Sequence, residues 1–151
     1  MTDIPVSYLN ADKRGLPSFE ALDTLTQTNL LAGSEPGMSA PVRILLADSI
    51  VLAQFSVVGL DADDNLVLAE YNADPDLAIK PIGVLLHAAT SGAANATIHG
   101  EVVLTGNYNC GADSPLVWDA SFDTVAKKAG SVVGNPNLIF RARLASGSPA
   151  A

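Results

Sequence analysis

A chain of 151 residues, 48% hydrophobic but only 5% aromatic, holds enough apolar material for one domain whose core is packed mainly by Ala, Val and Leu. Nine prolines and twelve glycines interrupt it too often for long helices and favour short strands joined by turns. A net charge of −8, with eleven acids against the single base Lys80 between Ile44 and Ala126, excludes a body that binds nucleic acid by neutralising phosphates; a lone cysteine excludes an internal disulfide framework, and no apolar run reaches the length of a membrane span.

Residues 1–40 read as an extended N-terminal arm. Met1-Thr2-Asp3-Ile4-Pro5 lacks the basic flank and apolar core of a signal peptide, so synthesis in a cytoplasm is expected. Asn10 to Gly15 and Gly33 to Gly37 are polar and turn-like. Between them Phe19, Leu22 and Leu25 recur at intervals of three behind Ser18, which predicts a short capped helix too small to stand alone. With so little periodicity, the arm is expected to be mobile until it meets a partner.

The body is expected over residues 41–145. Val42 to Leu46 and Val51 to Val58 are branched apolar runs that predict strands. Gly59 to Asn65 is a turn cluster, and Leu66 to Tyr71 the returning strand of a hairpin. Ile82 to His87 is almost continuously apolar, as a strand buried on both faces would be. In Ala96 to Thr105, Ile98, Gly100, Val102 and Leu104 alternate with Thr97, His99, Glu101 and Thr105, the period of a half-buried strand. Gly106 to Asp113 reads as a loop. Ser114-Pro115 predicts a helix start anchored by Leu116, Val117 and Trp118, and Asp119 to Ala129 a second helical piece ending near Gly130. Leu138 to Leu144 alternates again as a last strand, and the tail 146–151 is low-complexity and expected to be disordered.

Candidate chemistry is thin. Asp61-Ala62-Asp63-Asp64-Asn65 invites a calcium loop, but the sixth and twelfth positions hold Leu66 and Asn72 where Gly and Glu are needed, so a solvated hairpin turn is the better reading. His87, His99 and Cys110 lack the short paired spacings of a zinc site, and Cys110 has no neighbouring cation to make it a reactive thiolate. His99 and Glu101 share a strand face, for which ordinary cross-strand pairing is a better account than acid–base chemistry. Trp118 reads as a packing anchor. No phosphate-binding glycine loop or nucleophile elbow occurs. The bases Lys127, Lys128, Arg141 and Arg143, with no acid beyond Lys127, read as a solvated face or as partners in subunit salt bridges. No catalytic residue, metal or cofactor is expected.

Taken in order, Thr28 to Gly33, Ser39 to Val42, Phe55 to Gly59, Leu66 to Leu68, Pro81 to Leu85, Val102 to Asn107, and Leu116-Val117-Trp118 followed by Lys127-Lys128 form a spaced series over about residues 25 to 145. This series resembles the lambda-like family of bacteriophage head decoration proteins. The resemblance implies a mainly β, β-clip-like small barrel or sandwich with one or two short helices. It also implies a homotrimer that binds the major capsid protein on the outer surface of the expanded shell, at positions of threefold or pseudo-threefold symmetry. The protein would pass from host cytoplasm to virion, with neither nucleic acid nor membrane as partner. Residues 1–24 extend beyond the family pattern. Asn29, Leu30 and Leu31, which match the family's segment before its first strand, become the expected capsid contacts; the alternative is that they cover the edge of their own β core. Two other classes stay open: another virion or secreted β-rich adhesion module, and a small β-clip enzyme, which the missing motifs disfavour.

Overall fold

The computed structural model describes residues 29–93 and 97–143. The helix expected around Ser18 to Leu25, arm residues 1–28 and the tail 146–151 lie outside the described residues. Within them the protein is mainly β, with one short helix. The strands are β1 (Val42–Leu45), β2 (Val51–Leu52), β3 (Val57–Leu60), β4 (Leu66–Leu68), β5 (Gly83–Leu85), β6 (Ala89–Thr90), β7 (His99–Val103), β8 (Gly106–Asn109) and β9 (Leu138–Arg141), with helix α1 (Val125–Gly130) before β9.

Five strands form an antiparallel sheet in the order β1-β7-β5-β3-β4, while β2 pairs with β6 and β8 lies parallel to β9. A single parallel bridge from Leu46 to Leu66, with Ala47 N–H donating to the Leu66 carbonyl at 3.1 Å, ties the two edges of the large sheet at one end. The sheet therefore curls toward itself and stops short of a closed barrel.

Alternation on the central strands builds two cores. Val57 and Val84 are register partners on one face; they pack with Ala69, Tyr108, Phe122, Leu138 and Phe140. Val58, Leu85 and Val102 turn to the opposite face and meet Leu46, Leu52 and Leu66. Strands filled on both sides need apolar residues at every position, which is why β3 and β5 read as unbroken runs. Gly100 faces the second core: an added Cβ would sit 2.8 Å from both Leu66 Cδ2 and Leu85 Cδ1. Gly100→Ala is therefore expected to lower stability by about 1–2 kcal/mol as the leucines are forced aside. Urea denaturation measures this, and an unchanged midpoint would show slack in the core.

Four local readings need correction. The run Val51 to Val58 is two strands, because a turn closed by Ser56 N–H to the Ala53 carbonyl at 3.2 Å puts Phe55 at φ 62. Ser114-Pro115 starts no helix: the Ser114 hydroxyl accepts from Leu116 N–H at 3.1 Å, and Val117 then bridges Ser56 in parallel as β-structure. The helical piece is shorter than Asp119 to Ala129, since Thr124 caps α1 by accepting from Lys127 N–H at 3.2 Å. The first half of Gly106 to Asp113 is not a loop, for Gly106–Asn109 is strand β8, buried at every position.

Candidate functional site

Strand β8 organises the end of the molecule where the described chain enters and leaves the body. Its sequence, Gly-Asn-Tyr-Asn, has a loop's composition. Tyr108 is fully buried, stacks at 6.0 Å from Phe140, and donates its hydroxyl to the Thr105 carbonyl at 3.0 Å; burial pushes the phenol up to about 12. On one side β8 pairs with β9. On the other, residues 29–32 run antiparallel beside it through one isolated bridge: Asn109 N–H donates to the Leu30 carbonyl and Ala32 N–H to the Asn107 carbonyl, both at 2.9 Å, around the bridge Leu31 to Tyr108.

This register separates the three residues expected at the capsid. Asn29 is a polar clasp: its N–H donates to the Asp113 carbonyl at 3.2 Å, its amide to Asp113 Oδ2 at 3.0 Å, and its carbonyl accepts from Asn109 Nδ2 at 2.9 Å. Leu30, partly buried, packs against the first core. Leu31 sits in the non-hydrogen-bonded position opposite Tyr108, so its N–H and C=O point away from β8, and the residue is 41% exposed. Residues 33–40, read from sequence as the end of an arm, stay on the body: Asn107 Nδ2 donates to the Glu35 carbonyl at 2.9 Å, and Thr105 Oγ1 donates to the Gly37 carbonyl at 2.8 Å while accepting from Ser39 N–H at 2.7 Å. Gly33 permits this close approach, since a Cβ there would lie 2.7 Å from Arg141 Nη2 and 2.8 Å from Asn107 Nδ2.

Asn109 and Asp113 join entry to exit. Asn109, fully buried, donates to Asp113 Oδ1 at 2.8 Å and accepts from Gly111 N–H at 3.0 Å and Arg143 N–H at 3.4 Å. Donation by Asn109, then by Asn29, holds the Asp113 carboxyl below its ordinary range, with the Arg143 charge a smaller contribution. Beside this clasp, Ala32, Arg141, Ala142 and Arg143 line an open cleft of about 520 Å³. Sequence reading missed Asn109, Asp113 and both arginines as a group; the signal within reach was the acid-free stretch from Lys127 onward.

The other residues singled out in the sequence fall elsewhere. Arg43 and Glu101 are register partners with Nε and Oε1 3.6 Å apart, a cross-strand ion pair, and His87 Nε2 lies 3.8 Å from Glu101 Oε2 on an exposed face. His99 Nδ1 is 3.1 Å from the Thr97 carbonyl. Cys110 is buried in the first core, where desolvation pushes its thiol up. Asp61 Oδ1 accepts from Asp63 and Asn65 N–H, both at 2.9 Å, so this acidic turn caps itself. Trp118 stands edge-on to Phe122 at 4.9 Å and Phe140 at 4.8 Å. Among the described residues no group of three or more His, Cys, Asp or Glu is placed to hold a metal ion, and no helix is long and apolar enough to cross a membrane.

Compared with protein-family models and with characterised proteins, the chain matches none.

Proposed function

We propose that this chain is a non-enzymatic head decoration protein: a structural virion subunit that binds the major capsid protein on the outside of an expanded bacteriophage shell, as a homotrimer, and reinforces it. The observation that carries the reading is the edge at Leu31, left open among the described residues, with an exposed apolar side chain and set where the N-terminal segment joins the body. A strand edge of this kind takes an extended segment of another chain by backbone hydrogen bonds, with the alternating side chains supplying specificity. Three such edges on one trimer act together, so modest contacts give tight attachment. A subunit that prefers the expanded lattice shifts the shell toward that state by the difference in affinity. The segments that resemble the decoration family support the reading from a second side. They fall in order on the 29–32 segment, the start of β1, the turn into β3, β4, the approach to β5, and the β7–β8 corner.

Co-sedimentation of the purified protein with expanded empty shells, beside light scattering for the trimer, tests the proposal. Leu31→Asp is expected to leave folding stability within about 0.5 kcal/mol, as surface substitutions do, and to cut shell binding by about tenfold or more, because a charge would face the partner's apolar side chains. Unchanged decoration by this variant would remove Leu31 from the contact, and a full-length protein that never sediments with shells would remove the function.

A further inference from the structure

We propose that the Arg141–Arg143 cleft receives the carboxylates of an acidic polypeptide segment that the partner lays along the Leu31 edge. The inference rests on the docking role just given to that edge and names the partner's chemistry.

The first observation is one of pairing. The chain carries sixteen acids and eight bases, so an arginine at its surface has carboxylates in twofold excess to choose from. Among the described residues, Arg141 uses Nη2 on a backbone carbonyl, that of Ala32, at 3.2 Å. Arg143 has Asp113 as its nearest carboxylate, but Nη1 is 3.9 Å from Oδ2, beyond hydrogen-bond length, and both Asp113 oxygens already accept from Asn29 and Asn109. Among the described residues, two guanidinium groups, each able to grip a carboxylate through two parallel N–H donors, thus line one cleft with that capacity unspent.

The second observation is position. Ala32, one residue beyond Leu31, forms part of the cleft wall, so cleft and open edge are continuous. A strand added beyond residues 29–32 would run about 4.8 Å outside them, and its alternate side chains would point to the arginine side. An extended segment with acids at alternate positions meets both features, its backbone on Leu31 and its carboxylates on Arg141 and Arg143. Nucleic acid fits poorly, since two guanidinium groups on a chain of net charge −8 neutralise few phosphates against a repulsive field.

The full-length protein is titrated with a short synthetic Glu-Val repeat peptide, and the side-chain Nε–H resonances of Arg141 and Arg143 are followed by NMR. The expected result is a saturable shift of both, absent with a Lys-Val repeat and lost in the Arg141→Gln, Arg143→Gln double variant. No shift at these arginines overturns the proposal, and so does an equal response to inorganic phosphate or duplex DNA. A response that appears only after Glu20→Gln and Asp23→Asn would mean that the chain's own N-terminal segment fills the cleft, which also overturns it. Sedimentation with expanded shells separates this inference from the function beneath it. The double variant should bind shells about tenfold more weakly, with the difference shrinking as salt is raised. Equal decoration by both proteins sinks the acidic partner and leaves the decoration role standing. Peptide binding by a protein that ignores shells does the reverse.

Discussion

Deleting residues 1–36 is expected to lower the melting temperature by more than about 10 °C relative to deleting residues 1–28. The two truncations differ only in residues 29–36, which sequence alone assigns to an arm. The longer deletion removes the segment beside β8 with its bonds from Asn29 N–H to Asp113, Ala32 N–H to Asn107 and Asn109 N–H to Leu30. It also strips Leu30 from the first core and removes the residue bridged to Tyr108. Loss of a partly buried leucine costs about 2 kcal/mol, the low end for large-to-small changes, and each lost hydrogen bond about 1 kcal/mol. The sum is a large share of the roughly 5–15 kcal/mol that holds a domain together. Differential scanning calorimetry of the two truncations decides the matter, and equal melting temperatures would mean that the 29–36 segment is only laid on the surface. The comparison bears on function too, because a shell-binding assay of the longer truncation would confuse a lost anchor with a damaged fold.

The parts of this fold that were legible in the sequence are those in which one force dominates. β5 and β7 were readable because burial on one or both faces leaves a period in the side chains, and β9 because Leu138 and Phe140 go inward while Arg141 goes out; β3 was readable only to Val58, since Gly59 and Leu60 carry the letters of a turn. β8 was not, because two of its four buried residues are asparagines whose amides hold the neighbouring segment and carboxylate. A polar residue satisfied in the interior has the same letter as one in a solvated loop. The break at Phe55 was equally hidden, since an aromatic residue at positive φ breaks the usual preference and is held there by bonds from its N–H to Leu85 and from Val117 to its carbonyl. The candidate surface was half legible for a related reason. Resemblance drew attention to Asn29, Leu30 and Leu31, but their different fates depend on which backbone groups face β8, and Arg141 and Arg143 reach the same place from the far end of the chain through the parallel pairing of β8 and β9. Non-local placement of this kind leaves no mark within a sequence window.

Asn109→Ala is expected to destabilise the protein by about 2–4 kcal/mol, the range for removing a buried group that leaves several partners unsatisfied. The fully buried amide serves the Asn29 carbonyl, Asp113 Oδ1, Gly111 N–H and Arg143 N–H at once, and alanine replaces none of these. The same variant carries a signature in acid that a simple cavity would not. Asp113 lies below its ordinary value of 3.8 chiefly because Asn109 donates to it. A carboxyl whose folded-state value is depressed contributes stability that is fully present above its unfolded value and is lost as pH falls through the folded one. The wild-type protein should therefore lose part of its stability on acidification below about pH 4, the ordinary carboxyl range. In Asn109→Ala the Asp113 carboxyl should titrate closer to its ordinary value, and Asp113's share of the acid-dependent loss should shrink. Carbon-detected NMR titration of the Asp113 carboxyl gives the first quantity, and urea midpoints measured across the acid range give the second. Asp113 titrating at the same pH in both proteins would show that Asn29 alone holds the carboxylate, and that the entry and exit of the chain are not joined through Asn109.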